Sequence, residues 1–101
     1  MSAYNVVRFR VKPGMQKAFE DAHRVEPGFK GFHGGALVRT GEETYCFVGC
    51  WESFERIAAA RHQMIGMLDS FRPMLQDLGN GLGVTDPVSG DAVVEFAASP
   101  A

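Results

Sequence analysis

Two side chains of one predicted helix, Arg61 and His62, are the residues most suggestive of chemistry. The apolar residues around them, Phe54, Ile57, Ala58, Met64, Ile65, Leu68 and Phe71, have the spacing of an amphipathic helix capped by Ser53. Arg61 falls on that line, and His62 flanks it, four residues after Ala58 and three before Ile65. A guanidinium without a partner is costly to bury, so the line implies either a snorkelling or salt-bridged residue at the helix edge or a polar cavity. In a cavity, an imidazole titrating near pH 6.5 can act as a base at neutral pH, and the guanidinium can stabilise the anion that results.

The elements that must position these groups can be read in order. Val6 to Val11 alternates as a strand, with Val7, Phe9 and Val11 on one face, joined by Asn5 through parity, and Val6, Arg8 and Arg10 on the other. Lys12-Pro13-Gly14 stops it. Met15, Ala18, Phe19, Ala22 and Val25 then follow helical spacing until Glu26-Pro27-Gly28. A second strand is centred on Ala36 to Arg39, and a turn at Thr40-Gly41-Glu42-Glu43 leads into a third, Thr44 to Trp51. The helix bearing Arg61 and His62 follows, with Pro73 predicted to kink it or to begin a short helix of its own. Gly79-Asn80-Gly81 ends the helical region, Leu82 to Gly90 reads as a loop with turn chemistry, and Ala92-Val93-Val94-Glu95-Phe96 reads as the final strand.

This order is β-α-β-β-α-β, an α+β ferredoxin-like pattern with both helices on one face of a four-stranded antiparallel sheet. The other face is left open. It carries Val6 and one set from the third strand, either Cys46, Val48 and Cys50 or Tyr45, Phe47 and Trp51, and each set is too apolar for water. A homodimer packed through the open sheet face is the expected remedy.

With 101 residues, 46% of them hydrophobic and 22% charged, the chain is expected to form one domain, residues 1–101, with a disordered tail over 97–101. A domain this small buries a modest core, which also favours association. Ten basic against twelve acidic residues leave a formal charge of −2, which offers no field for nucleic acid and no basic patch for a membrane surface. No apolar run approaches the roughly 20 residues of a membrane span, and the first residues lack a secretory pattern, so the cytoplasm is the expected compartment. Cys46 and Cys50 on one strand would lie about 13 Å apart, too far for a disulfide, and read as reduced thiols.

Val7-Arg8-Phe9-Arg10-Val11-Lys12-Pro13-Gly14, Phe19-Glu20, Pro27-Gly28-Phe29-Lys30-Gly31 and Cys50-Trp51-Glu52-Ser53-Phe54 together resemble the antibiotic biosynthesis monooxygenase domain family of the dimeric α+β barrel superfamily. The resemblance spans roughly Val7 to His62. It implies a ferredoxin-like protomer, a homodimer and a ligand cavity between sheet and helices. Characterised members include cofactor-independent oxygenases of anthrones and quinols and small haem-degrading monooxygenases. The haem degraders resemble one another in an Asn on the first strand and a Trp and a His on the second helical region. Here those positions hold Val7, with Asn5 two residues earlier, and Ala60 and Ser70.

The resemblance therefore implies a cofactor-independent monooxygenase acting on a small aromatic quinol or anthrone-like compound, with no cofactor. His62 is the expected base and Arg61 the cation, with Asn5, Tyr45, Phe47, Trp51 and Phe54 as substrate-binding residues. Trp51 also matches a Trp that looks structural in the family. A non-catalytic dimeric module binding a small ligand is the alternative, and haem binding or degradation a third. Lesser constellations read more simply as structure. His23 and Glu26, with His33 nearby, suit a solvated helix face better than a divalent metal. His33-Gly34-Gly35 suits strand entry better than an oxyanion loop. Gly79-Asn80-Gly81-Leu82-Gly83 suits a helix cap and loop better than a phosphate cradle.

Overall fold

A computed structural model describes residues 2–100. Eight elements follow in order: β1 (Ala3–Arg10), α1 (Gln16–Ala22), β2 (Phe32–Arg39), β3 (Thr44–Trp51), α2 (Phe54–Ala59), α3 (Arg61–Phe71), a 3-10 turn (Arg72–Met74) and β4 (Asp86–Asp91). The four strands form one antiparallel sheet in the order β2-β3-β1-β4, the ferredoxin-like arrangement the alternation implies.

Parity along β1 sets what lies beneath the helices. Ala3, Asn5 and Phe9 are buried while Arg8 and Arg10 are exposed. Register then resolves the third strand: Phe9 pairs with Tyr45, Val7 with Phe47, Asn5 with Gly49 and Ala3 with Trp51, so these face the helices. Cys46, Val48 and Cys50, alternating with them, lie on the open face. Two apolar clusters result, one around Phe9, Val11, Phe19, Tyr45, Phe71 and Leu75, the other around Ala3, Trp51, Ile57 and Ala60.

Two expectations about the helices need correction, and a third holds. Helix α1 ends at Ala22, earlier than its apolar spacing suggests, and Val25 is exposed. The single helix expected from Phe54 onwards is two, broken at Ala60, with Ser53 capping the first by accepting from the Arg56 amide at 3.3 Å. Pro73 begins a separate 3-10 turn, as expected for a residue with no N–H to give.

The largest correction is the last strand. It is Asp86–Asp91, within the expected loop, whereas Ala92 to Phe96 forms no strand and exposes Val93, Val94 and Phe96. The real strand lacks alternation because it is held by its edge pairing with Ala3 to Arg8 and by the Arg8–Asp86 ion pair at 3.2 Å. Pro87 is tolerated at an edge, where a missing N–H leaves no central ladder broken. Residues 97–100 form no regular element, and Ala101, the end of the expected tail, lies outside the described residues. No helix among the described residues is long and apolar enough to cross a membrane.

Candidate functional site

The two apolar clusters do not meet across the whole layer. Between them, under α2 and α3 and above β1 and β4, lies a cavity of about 490 Å³. Its walls are mostly apolar: Val7, Phe9, Phe29, Phe47, Ile57, Met64, Met67, Leu68 and Phe71, with Phe54, Arg61, Ile65, Pro87 and Val88 also lining it. Phe54, Arg61, Ile65 and Val88 are exposed as well, which places the mouth between the helices and β4. Besides Arg61 the polar side chains lining it are few: Asn5, which is buried, His23 and Thr85, which are half-buried, and Ser89, which is exposed. A cavity of this kind fixes an apolar body by shape and its orientation by a handful of hydrogen bonds.

Of the residues expected from sequence, Asn5, Phe47, Phe54 and Arg61 line this cavity, and Tyr45, Trp51 and His62 do not. His62 is exposed. The break at Ala60 ends the continuous spacing on which its placement depended, and the inward line of α3 runs Arg61, Met64, Met67, Leu68 and Phe71, leaving His62 on the outer side. Tyr45 is buried but turns toward α1, where its hydroxyl donates to Glu20 Oε2 at 2.6 Å. Burial, reinforced by that carboxylate, raises its phenol above the ordinary range. It borders a second, more polar depression with Glu20, Arg24 and Arg39, which His23 also lines.

Trp51 acts from behind. Its indole N–H donates to Asn5 Oδ1 at 2.7 Å, with Trp51 fully buried against Phe29 and Phe32. Because Oδ1 is engaged, the amide orientation is set and Nδ2 is turned toward the helices, where its partner is Met64 Sδ at 3.9 Å. A thioether is a weak acceptor, so an oxygen entering the cavity can displace it. Gly49 makes room for this amide, since a Cβ there would stand 2.6 Å from Asn5 Oδ1.

The cavity residue that the sequence pattern left among the lesser constellations is His23. Rather than lying on a solvated face, its ring packs 4.6 Å from Phe19, 4.6 Å from Phe71 and 6.2 Å from Phe9 between centroids. The signal was available in part: His23 follows Met15 and Phe19 at steps of four, the same helical line. Its Nδ1 lies 2.8 Å from the Phe19 carbonyl oxygen. A carbonyl only accepts, so the neutral ring carries its proton on Nδ1 and leaves Nε2 with a free lone pair. Burial among the phenyl rings lowers the pKa of His23, opposed by the Phe19 carbonyl, and keeps the neutral form in place at pH 7.

The sign of that shift sets a pH dependence. The unfolded chain binds a proton to His23 more readily than the folded one, so this contribution to stability is present above about pH 6.5 and is lost as pH falls through the lower folded value. Urea midpoints taken between pH 7.5 and 4.5 are expected to fall across this window, and less steeply in His23→Phe. An identical slope in the variant would remove His23 as the source.

The remaining constellations resolve as structure. His23, Glu26 and His33 do not converge, and among the described residues no group of three His, Cys, Asp or Glu could hold a metal ion. His33-Gly34-Gly35 lies within β2 at a register shift, and a Cβ on Gly35 would meet the Val48 carbonyl oxygen of the neighbouring strand.

No family model matches the chain, and no curated protein does. Solved structures do. The cofactor-independent oxygenase SnoaB from Streptomyces nogalater, solved as a mutant, is similar at a TM-score of 0.69 and 14% identity, with 96% of this chain and 98% of that one covered. The haem degrader MhuD from Mycobacterium tuberculosis, solved with two haems bound in its active site, is similar at 0.64 and 25% identity, covering 94% and 99%. A Chloroflexus aurantiacus protein provisionally assigned as an antibiotic biosynthesis monooxygenase is similar at 0.70 and 14% identity, covering 96% and 98%. The sheet order, the helices on one face and these likenesses agree: the chain has the ferredoxin-like fold of the antibiotic biosynthesis monooxygenase domains.

Proposed function

We propose that this protein is a cofactor-independent monooxygenase of a small aromatic quinol or anthrone-like compound, working as a dimer packed through the open sheet face. The observation that carries the reading is the half-buried neutral His23, its Nδ1 committed to the Phe19 carbonyl and its Nε2 without a partner among the described residues, bordering the same apolar cavity as the Asn5 amide, whose Nδ2 donates. Asn5 and Phe9 are four residues apart on β1, about 13 Å, so the amide and the histidine packed on Phe9 serve opposite ends of a fused-ring ligand.

In this reading Nε2 takes a proton from the activated CH₂ of an anthrone, and Asn5 Nδ2 donates to the ring oxygen on which negative charge accumulates. Arg61, at the mouth, adds a positive potential. The carbanion so formed gives one electron to dioxygen, the two radicals combine as a hydroperoxide, and loss of water leaves a carbonyl. The balance is CH₂ + O₂ → C=O + H₂O, the substrate carbon supplying all four electrons that reduce the two oxygen atoms. The phenyl walls exclude water and bind the rings. The base is His23 rather than His62, which stands in solvent.

Dioxygen uptake with anthrones and quinols, after dialysis against a chelator, tests the reading. One dioxygen per substrate is expected, with Asn5→Ala reducing turnover by roughly 10²-fold or more, as for loss of one oxyanion donor. No uptake above the protein-free rate, with ligands still bound, would support a non-catalytic binding module instead. The likeness to MhuD favours haem as a second candidate ligand; a Soret shift on titrating haemin would support it, and an unshifted band would remove it.

A further inference from the structure

The buried Asn5 amide ends on a sulfur. Its Oδ1 is fixed by the Trp51 indole, and its Nδ2 rests on Met64 Sδ at 3.9 Å. A thioether is a poor acceptor, and oxidation by a single oxygen atom turns it into a good one. Met15, Met64, Met67 and Met74 are all half-buried, so exposure does not separate them. Surroundings do. Met15, Met67 and Met74 pack on the cluster around Phe9, Phe19 and Phe71, whereas Met64 packs on the cluster around Trp51 and Ile57.

Of the four, Met64 alone has a donor at its sulfur among the described residues. Met64 and Met67 both line the cavity, so an oxidant inside it meets two sulfurs that differ in this respect. The difference favours Met64. Negative charge builds on the peroxide oxygens as their bond breaks, and an adjacent amide N–H stabilises it.

We propose that Met64 is a modification site, oxidised by a hydroperoxide in the cavity to a sulfoxide whose oxygen captures the Asn5 amide. The sulfur lone pair attacks the terminal peroxide oxygen; an S–O bond forms and the O–O bond breaks. The departing oxygen keeps the bonding pair and takes the peroxide proton, so R–OOH leaves as R–OH. Sulfur is oxidised by two electrons and the peroxide reduced by two, and with hydrogen peroxide the second product is water. The sulfoxide oxygen reaches one bond beyond Sδ toward an Nδ2 that already faces it. An incoming ring oxygen then meets an occupied donor, and the apolar wall gains a polar group. Sulfoxide reductases restore the thioether, so the block is reversible. Its effect on turnover rests on the oxygenase reading above; the modification itself does not.

Treatment of the full chain with hydrogen peroxide, followed by peptide mass spectrometry and by spectra of the Asn5 side-chain amide, tests it. Oxygen is expected on Met64 about tenfold faster than on Met67, as one hydrogen bond made in the transition state gives, with fragment masses dividing the two residues. The Asn5 Nδ2 resonances are expected to shift as the sulfoxide forms and to return with a methionine sulfoxide reductase. Dioxygen uptake should fall by roughly 10²-fold over the same course, as for loss of one oxyanion donor. Met64→Leu, whatever its own rate, should lose none of it to peroxide. Oxidation of Met15, Met67 or Met74 as fast as Met64, or Asn5 resonances that stay in place, overturns the site and leaves the oxygenase reading standing. A rate that survives complete oxidation of Met64 overturns the capture of Asn5. Preferred oxidation of Met64 with shifted resonances, in a chain that consumes no dioxygen with anthrones or quinols, sustains the site and overturns the oxygenase reading.

Discussion

His23→Gln is expected to lower turnover by about 10²- to 10⁴-fold while leaving the fold and ligand affinity nearly unchanged, the range typical for removal of a general base. Glutamine keeps an amide that can donate to the Phe19 carbonyl, as Nδ1 does now, so the local packing among Phe9, Phe19 and Phe71 is retained. What it lacks is a titratable lone pair. His62→Gln, altering an exposed side chain outside the cavity, is the matched control and is expected to be silent. The wild-type rate should rise with pH through the lowered His23 pKa and then level, and this limb should vanish in His23→Gln. A rate limb that survives in His23→Gln and disappears in His62→Gln would restore the base to α3.

Phe19→Ala is expected to have the largest effect on stability. Phe19 is fully buried and meets four rings: Phe9 at 5.4 Å, Phe71 at 5.3 Å in edge-to-face geometry, Tyr45 at 4.9 Å and His23 at 4.6 Å. Emptying such a site costs about 3–5 kcal/mol, against a total near 5–15 kcal/mol for a domain of this length. Each kcal/mol corresponds to roughly 4–8 °C, so a thermal midpoint at least about 12 °C lower is expected by calorimetry. Phe54→Ala makes the contrast. Phe54 is 42% exposed at the cavity mouth, so its loss should barely move the midpoint while weakening an aromatic ligand. Comparable loss of stability in both variants would mean that the cavity is not the hollow it is taken to be.

The residues that pack were legible because their periodicity and their burial have one cause. Val7, Phe9 and Val11 alternate because one face of β1 meets helices, and Asn5 could be placed beneath them by parity alone. The choice between the two faces of β3 needed register, which the sequence pattern left open and the pairing of Phe9 with Tyr45 decides. Two misreadings share an opposite cause. Ala92 to Phe96 is apolar without packing inside the protomer, and Asp86 to Asp91 is a strand without apolar alternation, so hydrophobicity pointed to the wrong stretch. The placements of His23 at the cavity and of His62 in solvent follow from local backbone geometry. α1 stops one residue before His23, whose ring nevertheless continues the line from Phe19, and the break at Ala60 leaves His62 on the outer side of α3. A continuous helical wheel carries neither event.

In the proposed reaction the cavity oxidises an aromatic compound with dioxygen, using His23 as its base. Turnover of an anthrone under ¹⁸O₂ by the chelator-treated protein, followed by mass spectrometry, tests it most directly. One ¹⁸O atom in the product carbonyl is expected, formed well above the protein-free rate and at least about 10²-fold more slowly in His23→Gln. Product that takes its oxygen from water, or that forms equally fast with His23→Gln, would contradict it.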